Sequence, residues 1–241
     1  MRLIKWEKLP KEMQTEEVRK YYDILSKRKF SLFLKRLFDI VVSFVMLLIL
    51  SPVFLVLAIA IKIDSKGPVF FRQERITQYG KKFRIFKFRS MVTNAPKLGS
   101  QVTVKNDTRI TRVGKIIRKC RLDEISQLID VLRGTMSFVG TRPEVEKYVK
   151  EYTPEMWATM LLPAGVTSEC SILYKDEDDL LENAEDVDKT YVKEVLPGKM
   201  YYNLKGIERF GFFRDIRIMF MTVFAILGRK YTDDDLKKKD E

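Results

Sequence analysis

Two adjacent acids, Asp123 and Glu124, have the clearest potential for chemistry in this sequence. Apolar side chains recur at helical spacing from Ile125 to Leu132 and Gly134 suits a helix end, so the acids begin a predicted helix. The positive end of a helix favours carboxylates and phosphates, and Mg²⁺ typically uses one or two carboxylates together with substrate phosphates. Adjacent residues lie on different faces of a helix, so the acids could have two roles. Acids in a first turn are also routine helix caps, and the pattern leaves both interpretations open.

Cations suited to phosphate lie in a predicted β-hairpin. Gly67-Pro68 opens an apolar and aromatic stretch that Tyr79-Gly80-Lys81 interrupts, a pattern typical of two strands joined by a turn. If the second strand, Phe83 to Phe88, is extended, Lys87 and Arg89 lie on one face, where they could bind phosphate. A basic hairpin that is simply solvated would give the same pattern.

Composition narrows the classes of chemistry. The 241 residues carry 45 Lys and Arg against 33 Asp and Glu, a net charge of +12, and contain no histidine. The absence of histidine excludes His-ligated zinc and His-based catalytic triads, so acid–base chemistry falls to carboxylates, Lys or Tyr. Cys120 and Cys170 form no CxxC motif, which suits a reducing compartment, and both are interpreted as small buried residues. The length predicts one or two domains with a substantial core.

The elements that must position these residues include an apolar segment. Ile40 to Ile61 is 22 residues without a charge, about 33 Å as a helix and long enough to cross a bilayer. About forty mostly polar residues precede it, so a cleaved secretory signal is not expected. Pro52 removes a hydrogen bond to the carbonyl of Leu48 and predicts a bend, which Ser51 could soften by bonding back to Leu47.

The charges around this segment bear on its topology. Basic residues lie on both sides: Lys27, Arg28, Lys29, Lys35 and Arg36 before it, and Lys62, Lys66, Arg72 and Arg75 after it. A single span would place one cluster on the wrong side of the membrane, whereas a bent segment that enters and returns keeps both on the cytoplasmic side. A kinked span stays open as an alternative, because prolines are common in membrane helices.

The remaining segments predict smaller features. The stretch to about Lys29 is polar, with a possible helix start near Thr15. Ile216 to Leu227 is too short to cross a membrane and suits either an interfacial helix or a core helix. The acidic run Asp176 to Asp179 and the charged C-terminal end are interpreted as solvated.

Several motifs follow one another in a characteristic order. They are Lys35-Arg36-x-Phe38-Asp39, Ser51-Pro52, Gly67-Pro68-Val69-Phe70-Phe71-x-Gln73-x-Arg75, Phe83-x-Ile85-x-Lys87-Phe88-Arg89-Ser90-Met91, Arg109-Ile110-Thr111 with Gly114 and Arg118, Leu122-Asp123-Glu124-x-x-Gln127-Leu128, and Gly134-x-Met136-Ser137-x-Val139-Gly140-x-Arg142-Pro143-Glu144. In this combination the sequence resembles the bacterial sugar transferases, the monotopic phosphoglycosyl transferases that act on polyprenyl phosphate. The resemblance is dense from Leu34 to Val145.

The resemblance implies an α+β, mainly helical fold. Its expected parts are a polar N-terminal extension (1–30), a re-entrant membrane helix broken at Ser51-Pro52 (31–64), a compact cytoplasmic catalytic domain (65–228) with a small β-hairpin and interfacial helices, and a charged tail (229–241). It implies attachment to the cytoplasmic face of the bacterial plasma membrane, and each Lys or Arg near an anionic leaflet would add about 1 kcal/mol. A homo-oligomer is possible.

The resemblance also implies an activity. Members of the family transfer a sugar 1-phosphate from a UDP-sugar to undecaprenyl phosphate and release UMP, the first membrane step of glycan assembly. Asp123 matches the nucleophile that forms a covalent phosphosugar intermediate, and Glu124 matches a residue for proton handling or metal geometry. The expected cofactor is Mg²⁺, held by this pair. The predicted phosphate-binding residues are Lys87, Arg89, Arg118 and Arg142, the last from the Arg-Pro motif.

Departures from the family pattern leave the donor sugar open. Thr77 stands where many relatives have glycine, Thr141 interrupts the Gly-Pro-Arg-Pro pattern, and Pro163 to Ser168 has an inserted alanine and a serine for the last glycine. A different class of function also stays open: a membrane-attached binding or scaffold protein whose acids only cap a helix. A nucleic-acid partner is not expected, because the cations flank an apolar membrane segment and no recognised nucleic-acid module is present.

Overall fold

The computed structural model describes residues 1, 3–95, 107–174 and 186–237, and the fold is mainly helical with two small sheets. The helices are α1 (Glu16–Lys27), α2 (Lys29–Asp64), α3 (Arg112–Lys119), α4 (Leu128–Arg133), α5 (Glu146–Val149), α6 (Glu169–Leu173), α7 (Val187–Thr190), α8 (Leu196–Glu208), α9 (Phe212–Ile226) and α10 (Asp233–Lys237), and the strands are β1 (Phe70–Ile76), β2 (Lys82–Phe88), β3 (Met136–Val139) and β4 (Ala164–Thr167). The acidic run 176–179 lies outside the described residues.

The predicted hairpin is confirmed. β1 and β2 pair antiparallel, with Phe70 opposite Phe88 and Ile76 opposite Lys82. The turn places Tyr79 at φ 59° and so uses the left-handed region just before Gly80. The second sheet, parallel β3 and β4, was not predicted, because strands of four residues carry too little periodicity to be recognised.

The N-terminal stretch is packed against the rest of the chain. Thr15 caps α1 by accepting a hydrogen bond from the Val18 N–H, which confirms the predicted helix start. Val18, Tyr21 and Leu25 lie on one face of α1 and are buried in a hydrophobic cluster that also contains Leu161. The segment interpreted as a polar extension therefore contributes to the core.

Helix α2 runs for 36 residues with Pro52 inside it, which corresponds to about 54 Å of helix. The Ser51 hydroxyl donates to the Leu48 carbonyl at 2.8 Å, the carbonyl that Pro52 leaves without a backbone donor. The prediction that Ser51 bonds back to the helix backbone is confirmed, but the predicted acceptor, the Leu47 carbonyl, was wrong. Among the described residues, this helix is long and apolar enough to cross a membrane by length and composition.

Both ends of α2 contact the same folded unit. Near the first end, the Arg36 guanidinium donates to the carbonyls of Val131 and Leu132 at the end of α4. Near the second end, Leu57 and Ile61 join a buried cluster. The middle of α2 instead exposes large apolar side chains, including Leu48, Ile49, Leu55 and Val56. The chain thus holds the helix at both ends, and the middle packs Leu47 and Leu50 against the core while its other apolar side chains stay exposed.

Helix α9, which contains most of the predicted 216–227 segment, has two apolar sides. Ile218 and Met221 are buried against the sheet of β3 and β4, whereas Phe213 and Phe220 are exposed. The helix therefore packs on the core and also presents an uncovered apolar surface.

Candidate active site

A sharp turn brings the segment that carries the two acids to the second end of α2. Arg121 adopts a left-handed conformation (φ 54°) after α3, and residues Leu122–Gln127 form a 3₁₀ turn before α4 begins. The predicted helix thus starts as a tighter 3₁₀ segment, and Gly134 ends it at φ 85°, as expected. Leu122 and Ile125, which flank the acids, pack against the cluster that receives the second end of α2.

Glu124 is held by two cations. Its Oε1 lies 3.1 Å from the Lys87 Nζ, and the Arg142 guanidinium reaches both carboxylate oxygens, at 2.5 and 3.4 Å. No side chain caps the 3₁₀ turn, so capping does not explain this carboxylate. Burial alone would raise the pKa of Glu124, but the positive charges of Arg142 and Lys87 outweigh burial and hold it well below its usual value.

Asp123 is in a different environment. Among the described residues, no Lys or Arg lies within ion-pairing distance of its carboxylate. Burial raises the pKa of Asp123, and the adjacent charge of Glu124 raises it further, while Lys87 and Arg118 oppose both effects. The neighbouring acids therefore have the two distinct environments that their adjacency allowed: the Glu124 carboxylate is ion-paired to two cations, and the Asp123 carboxylate is buried without an ion-pair partner among the described residues.

Arg75 is a site residue that the sequence analysis missed. It donates to the Pro143 carbonyl at 3.2 Å and to the Gln73 side chain at 2.8 Å. Burial lowers the pKa of Arg75, Arg142 lowers it further, and Glu144 and Glu124 raise it. Its place in the Gln73-x-Arg75 motif could have indicated a role in the site, but no such role was predicted for it.

Arg89 does not join this group. It is buried, and its guanidinium donates to the carbonyls of Ile61, Ser65 and Lys66 at the end of α2. Strand β2 ends at Phe88, so the alternation that would place Arg89 beside Lys87 no longer holds. The structure thus places this predicted phosphate ligand at a helix end, as a structural residue.

The loop that carries Arg142 is fixed by the second sheet. Gly165 N–H donates to the Thr141 carbonyl at 2.8 Å, and Gly140 N–H donates to the Thr167 carbonyl at 3.0 Å. A Cβ on Gly165 would lie 2.2 Å from Gly140 backbone atoms, so only glycine allows this approach. The segment 163–168, which differs from the family pattern, therefore contains β4 and fixes the loop that carries Arg142.

Two other residues that differ from the family pattern, Thr77 and Ser168, also make hydrogen bonds in the structure. The Thr77 hydroxyl donates to the Thr135 carbonyl and accepts from the Ala164 N–H, which joins the hairpin to β4. Ser168 accepts a hydrogen bond from the Ser171 N–H and caps α6. Each of these residues uses its side-chain hydroxyl to make a specific hydrogen bond.

The donor set fits a magnesium ion that is completed by substrate. Within the described ranges, no group of three or more Asp, Glu, Cys or His side chains could hold a metal. Mg²⁺ commonly uses only one or two carboxylates and takes its other ligands from phosphates and water. Asp123, which lacks an ion-pair partner among those residues, meets this requirement, whereas Lys87 and Arg142 compete for Glu124.

The site is suited to a doubly charged phosphate compound. Four cations, Lys87, Arg75, Arg118 and Arg142, act on the two acids. The surplus positive charge and the fork-shaped guanidinium groups favour a diphosphate.

Comparison with known proteins identifies the family. The bacterial sugar transferase family model matches residues 30–229. Over 199 residues, 81% of the chain, the sequence is 36% identical to a UDP-N-acetylgalactosamine-undecaprenyl-phosphate N-acetylgalactosaminephosphotransferase of Aeromonas hydrophila, and covers 44% of that protein.

Two other relatives agree. A UDP-glucose:undecaprenyl-phosphate glucose-1-phosphate transferase of Klebsiella pneumoniae is 38% identical over 79% of the chain and 39% of its own length. An exopolysaccharide production protein of Rhizobium leguminosarum is 50% identical over 46% of the chain and 56% of its own length. The chain spans about two fifths of the length of the first two relatives. It belongs to the bacterial sugar transferase family.

Proposed function

We propose that this chain transfers a sugar 1-phosphate from a UDP-sugar to undecaprenyl phosphate and releases UMP, as the first membrane step in building a bacterial glycan. The relatives' names give undecaprenyl phosphate as the acceptor in sugar-phosphate transfer. The observation that carries the proposal is the contrast between the acids: Glu124 is ion-paired to Lys87 and Arg142, while Asp123 has no such partner among the described residues.

The transfer proceeds in two displacements at phosphorus. An Asp123 carboxylate oxygen attacks the β-phosphorus of the donor, the bond from that phosphorus to the bridging oxygen breaks, and UMP leaves with the electron pair. The product is a sugar phosphate bound covalently to Asp123. A phosphate oxygen of undecaprenyl phosphate then attacks the same phosphorus, the bond to Asp123 breaks, and the carboxylate is restored. Charge balances in both steps without a proton transfer.

The chain's cations make the first displacement feasible. An anionic carboxylate is repelled by a diphosphate unless the diphosphate charge is neutralised, and Lys87, Arg75, Arg118 and Arg142 supply that neutralisation. Asp123 would hold Mg²⁺ together with substrate phosphates, and the ion would stabilise charge on the phosphate oxygens when bound. Glu124 keeps Lys87 and Arg142 in place through its ion pairs.

The site's position favours a lipid acceptor. Leu122 and Ile125 contact the cluster at the second end of α2, so the acids lie beside the apolar helix. Because one folded unit binds both ends of α2, we infer that the helix enters one leaflet and returns, with its bend at Ser51-Pro52. The folded unit then lies on the cytoplasmic face, where the UDP-sugar is available.

The proposal is tested with the purified full chain in nanodiscs, undecaprenyl phosphate, Mg²⁺ and a panel of UDP-sugars. At least one donor should release UMP, and Asp123→Asn should abolish release. Asp23→Asn, which changes an exposed acid paired to Arg19 on α1, serves as the control and should retain activity. Radiolabel from the donor sugar should stay on the denatured wild-type chain when acceptor is omitted, but not on Asp123→Asn.

Two outcomes would count against the proposal. UMP release by Asp123→Asn at the wild-type rate would exclude this carboxylate as the nucleophile. If the wild-type chain releases no UMP from any donor in the presence of Mg²⁺, the result would favour the non-catalytic membrane scaffold instead.

A further inference from the structure

A buried polar network begins two residues after Arg142. The Tyr191 hydroxyl donates to the Glu144 Oε1 at 2.5 Å, and the Lys199 Nζ donates to the Tyr191 oxygen at 2.9 Å. The same Nζ lies 3.6 Å from the Glu144 carboxylate. Glu144, Tyr191 and Lys199 are exposed by only 7%, 3% and 5%, so an anion and a cation are both held away from water.

The backbone around Tyr191 is unusual. Residues Tyr191–Val195 form a π-helical turn between α7 and α8, a rare conformation that occurs frequently at functional sites. The Tyr191 ring stacks on Tyr148 at 4.5 Å, and Lys199 also lies over the ring, 5.0 Å from its centroid. These contacts fix the direction of the Tyr191 hydroxyl.

The network is coupled to the cations of the site through the Arg-Pro loop. The Glu144 carbonyl accepts from Ile76 N–H at 2.9 Å, and the Pro143 carbonyl accepts from Arg75. The Glu144 carboxylate is also close enough to act electrostatically on Arg75. The network therefore reaches Arg75 through the Glu144 carboxylate, and the loop that carries Arg142 through the Glu144 backbone.

We propose that Tyr191 and Lys199 are positioning residues that fix the Glu144 carboxylate and, with it, the Arg-Pro loop, so that Arg75 and Arg142 are held in place to bind the donor diphosphate. This inference rests on the proposed function and adds a second layer to its donor site. Neither residue touches the reacting atoms in this assignment, and both act through Glu144.

The test is a double-mutant cycle read out by UDP binding. Tyr191→Phe keeps the ring and its stacking but removes the hydroxyl, which should weaken UDP binding to the full chain in nanodiscs by about fivefold, the order expected for one hydrogen bond. Glu144→Gln removes the carboxylate through which Tyr191 acts, so Tyr191→Phe should have little further effect in that background. Tyr148→Phe is the matched control, because its hydroxyl bonds Asp188 at 2.6 Å and should not change UDP affinity.

Calorimetry of UDP binding, donor KM and thermal unfolding would be measured on the four proteins and the control. A loss of UDP affinity in Tyr191→Phe that persists unchanged in the Glu144→Gln background would overturn the proposal, since it would indicate a packing effect. Wild-type turnover with unchanged UDP affinity in Tyr191→Phe would overturn the network's role and leave the proposed function intact. A wild-type chain that neither binds UDP nor turns over donor would remove the proposed function and this inference together.

Discussion

At Arg142 the shape of the side chain matters as well as its charge. Its two terminal nitrogens contact the two oxygens of Glu124, a fork that an ammonium group cannot reproduce. Arg142→Lys should therefore reduce kcat/KM for the UDP-sugar by about 10- to 100-fold, although the net charge is unchanged. Steady-state UMP release measures this effect, with Arg84→Lys on the exposed face of β2 as the control. Equal kcat/KM values for Arg142→Lys and the wild type would assign Arg142 a purely charge-based role.

Single residues were predicted where their chemistry is local. The sequence located Asp123 and Glu124 because adjacent acids at the start of an apolar periodicity are visible within one segment. It also selected Lys87, which the structure places 3.1 Å from Glu124. It missed the pairing of Glu144 with Tyr191, since 47 residues separate them and neither lies in a pattern that requires the other.

At the scale of elements, the end of α2 is bound by Arg89, the residue that directly follows β2. Arg89 donates to the carbonyls of Ile61, Ser65 and Lys66. The Ile61 carbonyl also accepts from the Ser65 N–H, whereas the Ser65 and Lys66 carbonyls lie beyond the helix end, where the helix supplies no donors. Alternation along β2 could not predict this, because the partner carbonyls lie more than 20 residues earlier. Arg89 therefore joins α2 to the hairpin.

Arg89→Met tests this structural assignment. The substitution removes the donors from several carbonyls and should lower the free energy of unfolding by about 1–3 kcal/mol. The donor KM of the protein that remains folded should stay unchanged, because Arg89 is separate from the phosphate site. Thermal unfolding in nanodiscs and steady-state kinetics provide the two measurements, with Arg84→Met as an exposed control. A raised KM with unchanged stability would return Arg89 to the phosphate-binding residues that the sequence predicted.

At the scale of the whole molecule, helices α2 and α9 both leave large apolar side chains exposed. Leu48 and Ile49 in the middle of α2 are 60% and 69% exposed, and Phe213 and Phe220 on α9 are 81% and 63% exposed. Exposed apolar groups of this size in contiguous helices indicate contact with lipid or protein. The sequence predicted the apolar run and the basic flanks, but not that both ends of α2 bind one unit, which depends on contacts made after folding.

Those end contacts lead to a prediction about topology. A helix whose two ends are bound to one folded unit cannot leave that unit on both sides of a bilayer, so residues before and after α2 should be on the same face. The prediction that both cysteines are buried is confirmed for Cys170 and wrong for Cys120, which is exposed at the end of α3. Cys120 therefore provides a native reporter after α2. Lys11→Cys in a Cys120→Ser background supplies the matching reporter before α2, because Lys11 is exposed. A membrane-impermeant maleimide should label both proteins in inside-out membrane vesicles and neither protein in intact cells. Labelling of the two reporters from opposite sides would establish a true span and remove the re-entrant helix from the proposal, whatever the outcome of the activity assay.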